Sequence, residues 1–181
     1  ILMRIAGSSC TPVAFIAMND SLDGCDPVQV STLAGTGLTY AWSKDGASLG
    51  LTSNAISVSA DGWYRVDVTS PGPCMASDSV YVTVHPVPTA SMSGLDTVYC
   101  DTDAPVTLTG RPPGGTFTGT GITGNTFNPA SAGGGAHNIT YTYTDANSCT
   151  DDSIRSVTVN AAPVAALSLS QTSICVNASS F

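Results

Sequence analysis

The 181-residue sequence predicts an all-β fold, and three observations support this prediction. All 13 acidic residues are Asp and Lys44 is the single lysine, so the residues that build long helices are scarce. Ser and Thr number 23 each beside 18 Gly and 11 Pro, which is typical of short strands joined by turns. Apolar and polar residues also alternate, as Tyr64, Val66 and Val68 do with their neighbours, which is the period of a half-buried strand.

The cysteines reveal an internal repeat with a period of about 75 residues. Cys25, Cys100 and Cys175 follow one another at this spacing, and Cys74 and Cys149 are equally far apart. Other positions match at the same offset, among them Trp42 with Phe117, Tyr64 with Ile139, and Pro88 with Pro163. We therefore expect an N-terminal extension at 1–10, a first repeat at 11–86, a second at 87–161, and the first strand of an incomplete third repeat at 162–181.

Each repeat is predicted to form short antiparallel strands. In the first repeat they are expected near 12–18, 27–34, 38–43, 47–50, 54–59, 63–69 and 78–84. In the second repeat they are expected near 88–93, 105–109, 115–118, 125–127, 137–144 and 154–160. Turns are predicted where Gly, Pro, Asp and Asn cluster, at 44–46, 61–62, 71–73, 112–115 and 145–147. Many short strands within about 75 residues predict a β-sandwich for each repeat.

The segments that join the repeats are short and contain proline. The first is His85-Pro86-Val87-Pro88 and the second is Asn160-Ala161-Ala162-Pro163. Proline fixes its own φ angle and favours extended backbone in the residue before it. We therefore expect the repeats to form a semi-rigid rod.

Several motifs resemble those of a known class of domains. The runs at 40–46 (Tyr-Ala-Trp-Ser-Lys-Asp-Gly) and 61–68 (Asp-Gly-Trp-Tyr-Arg-Val-Asp-Val) resemble an immunoglobulin-like (Ig-like) module. The second repeat, through its runs at 104–110, 114–117, 124–129 and 139–149, is similar to the Ig-like and PKD-like repeats of large secreted surface proteins of Bacteroidota. The resemblance covers residues 11–181. It implies tandem Ig-like sandwiches, an extracellular or cell-surface location and export by the type IX system.

Charge and motif content argue against several classes of function. A net charge of −8 and a pI near 4.1 disfavour nucleic acids and anionic membrane surfaces as partners. No apolar run reaches the roughly 18 residues of a membrane-spanning helix. The two histidines, His85 and His137, lie far apart in the sequence and have no nucleophile at a catalytic spacing. We expect no enzymatic activity, no cofactor and no membrane insertion.

The acidic residues do not predict a metal site. They cluster in three places, at Asp20, Asp23 and Asp26, at Asp101 and Asp103, and at Asp151 and Asp152. Carboxylate oxygens suit Ca²⁺, but none of these clusters matches a complete calcium-binding loop. Asp is common in turns because its side chain accepts hydrogen bonds from nearby backbone N–H groups, and we interpret these residues in that way.

The two tryptophans are predicted to face opposite ways. Trp42 is in phase with the core, and Phe117 replaces it in the second repeat, so we interpret it as a core residue. Trp63 is out of phase with Tyr64 and Val66 and should face outward. There it either packs against a loop or the neighbouring repeat, or contacts a sugar or a partner protein.

The resemblance also implies attached carbohydrate. The related surface proteins carry O-glycans at Asp-(Ser/Thr)-apolar triplets, and four such triplets occur, with candidate residues Ser21, Ser79, Thr97 and Ser153. Asn-X-Ser/Thr motifs at Asn19, Asn138 and Asn177 are weaker candidates for N-glycans.

Two disulfide patterns fit the repeat period. Pairing within repeats gives Cys25–Cys74 and Cys100–Cys149, whereas pairing between repeats gives Cys10–Cys74 and Cys25–Cys149 and leaves Cys100 and Cys175 for later repeats. In an Ig-like sandwich the loop after the first strand and the loop before the last strand lie at opposite ends, roughly 20 Å apart. Bonded cysteines need Cα atoms within about 7 Å. We therefore favour the pairing between repeats.

These observations predict a non-catalytic stalk segment of an extracellular adhesin or cell-surface filament, with neighbouring repeats or subunits of the same protein as partners. One alternative is a glycan-binding accessory module of a secreted multidomain hydrolase, for which Trp63 is the candidate contact. Another is a strand-exchanging filament subunit, in which residues 1–6 are donated to an edge that the incomplete repeat at 162–181 exposes.

Overall fold

The structure, a computed structural model, describes residues 14–16, 20–72 and 74–163. The first strands are β1 (Ser21–Cys25), β2 (Val28–Ser31), β3 (Thr39–Lys44), β4 (Ala47–Ser48), β5 (Ala55–Val58), β6 (Gly62–Thr69) and β7 (Met75–His85). There follow β8 (Ser91–Ser93), β9 (Val98–Cys100), β10 (Val106–Thr107), β11 (Thr109–Arg111), β12 (Thr116–Thr118), β13 (Ile122–Thr123), β14 (Thr126–Phe127), α1 (Pro129–Ala132), β15 (Gly135–Thr144) and β16 (Thr150–Asn160). The predicted all-β fold is confirmed.

The chain divides into two compact units. The first contains the described residues up to Met92 together with Gly110–Thr116 and Tyr141–Ser153. The second contains Ser93–Thr109, Phe117–Thr140 and the described residues from Ile154 onward. The repeat boundaries inferred from the sequence stay predictions.

In the first unit, β1 to β7 form two facing sheets. The larger sheet has the order β1-β7-β6-β3-β4, and β2 pairs with β5 in the smaller one. The central strand β6 runs antiparallel to both β7 and β3, while β1 runs parallel to β7 at the sheet edge. In an Ig-like sandwich, the second and fifth strands face the third, sixth and seventh. This unit has that arrangement, as expected.

The predicted alternation places one face of the larger sheet in the core of this unit. Its inward residues pack against those of the smaller sheet in one cluster, which includes Trp42, Tyr64, Val66, Val68, Val80 and Val82 from the first and Val28, Val30, Ile56 and Val58 from the second. The buried rings have their polar atoms satisfied. Tyr64 Oη donates to the Ala60 carbonyl at 2.8 Å, and Trp42 Nε1 donates to the Ser53 carbonyl at 2.7 Å.

The remaining strands form smaller sheets. Their orders are β12-β15-β16-β9, β10-β14-β13 and β11-β8. Within the second unit the buried apolar residues include Leu108, Phe127, Ile139, Val157 and Val159, and the rings of Tyr99 and Phe127 lie 5.4 Å apart. The helical turn α1 begins after Asn128, whose Oδ1 accepts a hydrogen bond from Ala130 N at 3.0 Å.

The same strand pairings recur at positions that lie one repeat period apart. In the pairing of β1 with β7, Asp23 lies opposite Thr83 and Cys25 lies opposite His85. In the pairing of β9 with β16, the same positions of the next repeat are paired, Val98 with Thr158 and Cys100 with Asn160. The following residue also repeats, because Asp26 N donates to the His85 carbonyl and Asp101 N to the Asn160 carbonyl, both at 2.9 Å.

Several strand predictions need correction. The sequence predicts loops at 21–25 and 98–100, but these residues form β1 and β9, because pairing with a long neighbouring strand decides their conformation. Residues 14–16 of the predicted strand 12–18 are not in a strand, and the rest of that range lies outside the described residues. The strand predicted at 105–109 is divided between β10 and β11, the one predicted at 88–93 shrinks to β8, and neither β13 nor α1 was expected.

Candidate functional site: cysteine links and an exposed aromatic pair

A disulfide joins Cys25 to Cys149 and so connects the two sequence repeats. The two Cα atoms lie 5.6 Å apart, and the bond closes a loop with a sequence separation of 124 residues. Cys25 ends β1, and Cys149 lies fully buried just before β16. This bond is the one that the pairing between repeats predicts.

The strand β7 explains why Cys25 does not bond to Cys74. Cys74 directly precedes this strand, whereas Cys25 lies opposite His85 at its far end. The 11 residues of β7 span about 33 Å at about 3.3 Å per residue, which far exceeds the reach of a disulfide. The two cysteines lie at opposite ends of the sheet, as the sequence argument required, although Cys25 lies in a strand and not in a loop.

The same kind of turn presents Cys74 and Cys149. Ser70 N donates to the Cys74 carbonyl at 3.0 Å, and Asp145 N donates to the Cys149 carbonyl at 2.9 Å, at positions one repeat apart. In the second turn Asp145 Oδ1 also accepts from Cys149 N at 2.9 Å, which fixes the backbone of the bonded cysteine. Cys74 is disulfide-bonded too, and its predicted partner Cys10 lies outside the described residues.

Among the described cysteines, Cys100 is an exposed free thiol. It ends β9 as Cys25 ends β1, so the two cysteines are equivalent in register. Its backbone N–H donates to Asp103 Oδ2 at 2.7 Å. Cys175 lies outside the described residues, and the pairing of Cys100 and Cys175 with later repeats stays a prediction.

Trp63 and Tyr81 form an exposed aromatic pair on the outward face of the sheet β1-β7-β6-β3-β4. They lie opposite each other on β6 and β7, with ring centroids 5.5 Å apart and ring planes at 71°. Trp63 is 49% exposed and Tyr81 is 38% exposed, whereas Trp42 is only 1% exposed. The outward position of Trp63 and the core position of Trp42 therefore follow the sequence prediction. Tyr81 was missed, although it stands out of phase with the buried Val80 and Val82.

The turn between β3 and β4 fixes the backbone of Trp63. Asp45 N donates to the Trp63 carbonyl at 2.9 Å, and Trp63 N donates to Asp45 Oδ1 at 3.0 Å. The φ angles of Asp45 (49°) and Gly46 (84°) are both left-handed, as the favoured two-residue hairpin turn requires. The hydrogen bond from Lys44 to Asp45 Oδ2, 2.7 Å long, lowers the pKa of Asp45 and raises the pKa of Lys44. The carboxylate that holds Trp63 is therefore charged at neutral pH.

The second repeat lacks this aromatic pair. Asn138 and Ser156 occupy the positions that lie one repeat after Trp63 and Tyr81. Their side chains bond to each other, with Ser156 Oγ donating to Asn138 Oδ1 at 2.7 Å. The exposed aromatic surface is thus a property of the first repeat.

The candidate O-glycosylation residues lie on or beside strands. Ser21, Ser79 and Thr97 are exposed and Ser153 is half-buried. Ser21 lies opposite Tyr81, and Ser79 precedes Tyr81 by two residues on the same strand, so both serines share its face. Asp78 of one triplet also has a structural role, because its Oδ2 accepts from Ile16 N at 2.8 Å.

Many of the aspartates accept hydrogen bonds from backbone N–H groups. The carboxylates that do so belong to Asp45, Asp61, Asp78, Asp101, Asp103, Asp145 and Asp151. The short Asp side chain suits this role because it reaches nearby backbone N–H groups and loses little rotamer freedom when it binds them. Among the residues that the structure describes, no group of three or more His, Cys or Asp side chains is placed to hold a metal ion.

The two histidines have separate partners. His85 Nε2 lies 2.9 Å from Asp23 Oδ1, and His137 Nε2 lies 2.8 Å from the Gly133 carbonyl. Neither arrangement includes a nucleophile. In the described part of the chain, no helix has the length and hydrophobicity needed to cross a membrane.

No family model and no curated protein matches the chain. Among solved structures it is similar to the insect immune protein hemolin, with a TM-score of 0.40 and 12% identity over 88% of this chain and 49% of that one. The chain thus spans about half the length of hemolin. It is also similar to the fibronectin(III)-like modules of CbhA from Clostridium thermocellum, with a TM-score of 0.37 and 11% identity over 88% of this chain and 100% of that one. A Ca²⁺-stabilized adhesin that helps an Antarctic bacterium bind ice has a TM-score of 0.32 and 18% identity over 81% of this chain and 48% of that one.

Proposed function

We propose that the chain is a non-catalytic stalk segment of an extracellular adhesin or cell-surface filament. Its Ig-like repeats, at 11–86 and 87–161, would follow one another as a rod, and its partners would be neighbouring repeats or subunits of the same protein. The observation that carries this proposal is the Cys25–Cys149 disulfide, which links one repeat to the next. Structural disulfides persist in oxidising compartments, which supports an extracellular location.

The disulfide determines how tension would pass along such a stalk. A force on the chain before Cys25 would cross the S–S bond to Cys149 and continue into β16. The residues between the two cysteines would carry no load while the bond is intact. With a sequence separation of 124 residues, the protected loop would measure about 430 Å if fully extended.

Stretching single molecules between two marker domains tests this proposal. Both proteins carry Cys74→Ser, which removes the second disulfide. We expect the protein that keeps the Cys25–Cys149 bond to unfold without releasing the loop, and the protein that also carries Cys25→Ser/Cys149→Ser to release about 430 Å more chain. Cys100→Ser in the same background is the matched control, because it removes an exposed free thiol, and it should behave as the protein with the intact bond does. Equal released lengths with and without the Cys25–Cys149 bond would contradict the proposed path of force.

Cys100 supports a continuation of the same linkage. Since it has the register position of Cys25, we propose that it bonds to a cysteine in the turn before the last strand of a later repeat. Forming this bond oxidises two thiols and requires an extracellular dithiol oxidase or a disulfide that is reduced in exchange. Thiol alkylation of the native full-length protein should leave Cys100 unlabelled, and labelling there would contradict the proposal.

We also propose that Ser21, Ser79, Thr97 or Ser153 carries O-glycan in the native host. The exposure of the first three supports this proposal. Peptide mass mapping of native material should find a hexose-containing adduct on at least one of them, and four unmodified peptides would contradict it.

A further inference from the structure

The stalk role leaves the exposure of Trp63 and Tyr81 unexplained. An edge-to-face aromatic pair between adjacent strands stabilises a sheet by about 0.5–1 kcal/mol. That contribution does not require an indole that is 49% exposed beside a phenol that is 38% exposed. Exposed aromatic side chains that form a patch on a folded surface indicate a binding site.

The pair is part of a row of residues that crosses the sheet. Ser21 on β1 lies opposite Tyr81, and Tyr81 lies opposite Trp63. Asp45, in the turn after β3, bonds to the backbone of Trp63 and ends the row. With strands about 4.8 Å apart, the row measures roughly 14 Å, enough for a short stretch of an extended polymer.

Polar groups border the aromatic pair along one side. Ser79 and Arg65 lie opposite each other in the next outward positions of β7 and β6, and Ser43 lies opposite Arg65 on β3. The Arg65 guanidinium is held by Asp67 Oδ1 through Nε at 3.0 Å and Nη2 at 2.8 Å. Its side chain is 56% exposed, so its remaining N–H groups can donate to a ligand.

Two carboxylates beside the row are paired with cations. Asp67 is paired with Arg65 and Asp45 with Lys44, while Asp23 Oδ1 lies within hydrogen-bond distance, 2.9 Å, of His85 Nε2. In a chain with a net charge of −8, these carboxylates are therefore paired or hydrogen-bonded. A neutral ligand with many hydroxyl groups fits this surface better than a polyanion or a polycation.

We propose that the outward face around Trp63 and Tyr81 binds a neutral polysaccharide. The C–H faces of sugar rings would stack on the two aromatic rings, and the sugar hydroxyls would bond to Arg65 and Ser43, and to Ser21 and Ser79 in protein that carries no O-glycan there. Asp45 holds the Trp63 backbone in place before binding, which limits the entropy lost on association. The proposal stands apart from the stalk function, since it depends on this face and not on the disulfide.

Affinity electrophoresis through gels that contain xyloglucan, mixed-linkage β-glucan, xylan or galactomannan tests the proposal. We expect at least one of these neutral polysaccharides to retard the native protein, and Trp63→Ala or Tyr81→Ala to weaken binding about tenfold or more. Asn138→Ala is the matched control, because it changes the equivalent surface position in the second repeat, and it should bind as the native protein does.

Quenching of tryptophan fluorescence by acrylamide tests the proposal on the native protein, so its result does not depend on whether the variants fold. Trp42 is 1% exposed, so quenching by acrylamide in the native protein reports on Trp63. The polysaccharide that retards the protein should protect Trp63 from acrylamide. The proposal is overturned if no neutral polysaccharide retards the protein, if only an anionic polymer does, if both alanine variants bind normally, or if quenching is unchanged.

Discussion

The hairpin of β6 and β7 and the hairpin of β15 and β16 share one framework but differ in their exposed side chains. Both close with a turn that carries a bonded cysteine, and both pair in parallel with a short strand that ends in a cysteine. On the outward face, Trp63 and Tyr81 of the first hairpin are replaced by Asn138 and Ser156. The two hairpins share the features that join strands to one another and one repeat to the next. Because they differ on the outward face, any binding activity belongs to that face.

The cores of the two hairpins differ in where they place a tyrosine. Tyr64 is buried in the first and Ile139 takes its position in the second, where Tyr141 follows two residues later. Tyr141 Oη accepts from Gly115 N at 2.8 Å and donates to the Pro112 carbonyl. A Cβ atom on Gly110 would lie 2.1 Å from Tyr141 Cζ, so this ring requires a glycine beneath it. The two hairpins thus share one strand framework but bury a tyrosine at different positions of it.

Among the changes that test this comparison, loss of the inter-repeat disulfide should have the largest effect on stability. For a separation of 124 residues, chain entropy predicts that Cys25→Ser/Cys149→Ser lowers the free energy of unfolding by up to about 5 kcal/mol. Cys100→Ser, at the position equivalent to Cys25, should change it by less than about 0.5 kcal/mol. Urea unfolding followed by circular dichroism measures both. Equal effects would show that the two register-equivalent cysteines do not differ in their role.

Truncation of the two tryptophans should separate the inward face of the sheet from the outward face. Trp42→Ala should lower the free energy of unfolding by about 3–5 kcal/mol, because it empties a fully buried site and leaves the Ser53 carbonyl without its donor. Trp63→Ala should lower it by about 1 kcal/mol or less. Urea midpoints compare the variants, and a similar loss in both would contradict the assignment of Trp63 to the surface.

Raising the pH should lower stability through one core residue of the first hairpin, whereas the equivalent residue of the second hairpin should have no such effect. Burial raises the pKa of Tyr64 above its ordinary value of 10.0, whereas Ile139 cannot ionise. Because the folded-state pKa is the higher one, this stability is present below about pH 10 and is lost as the pH rises through the folded pKa.

Tyr64→Phe isolates this contribution. At neutral pH it should cost about 1 kcal/mol, since the hydrogen bond to the Ala60 carbonyl is lost. Above about pH 10 the variant should lose less stability than the native protein as the pH rises. Urea midpoints between about pH 8 and about pH 11 check this, and parallel pH profiles would contradict it.

Exchange of the outward pairs should have the smallest effect on stability. Trp63→Asn/Tyr81→Ser gives the first hairpin the side chains of the second and should change the free energy of unfolding by no more than about 1 kcal/mol. Asn138→Trp/Ser156→Tyr makes the reverse exchange and should be tolerated equally well. A loss above about 2 kcal/mol in thermal melts of either variant would show that these positions belong to the core.

Features that depend on periodicity could be predicted from the sequence. The repeat offset predicted equivalent positions such as Cys25 and Cys100, and the alternation around Val66 placed Trp63 outside. The phase of Trp42 in its own strand and its match to Phe117 placed it inside. The same alternation contains the signal for Tyr81, which lies between the outward Ser79 and Thr83.

Features that depend on contacts across the sheet could not be predicted. β1 and β9 have only 5 and 3 residues and pair in parallel at an edge, so their conformation is set by β7 and β16 and not by their own pattern. The turn α1 has 4 residues, too few to show a helical period. Pairing of the aromatic rings and of the charges depends on the register, which periodicity alone does not supply.

The parallel strand β1 has a consequence for aggregation. Without it, the 11-residue strand β7 would end the sheet as a long row of unpaired backbone groups, which is a template for pairing with foreign strands. With it, the sheet ends on one side in a 5-residue strand that carries Asp23, and on the other in the 2-residue strand β4. Successive repeats of similar sequence reach high local concentrations during synthesis, where strands of one repeat can pair wrongly with those of the next. Short edges on both sides of the sheet reduce such misassembly.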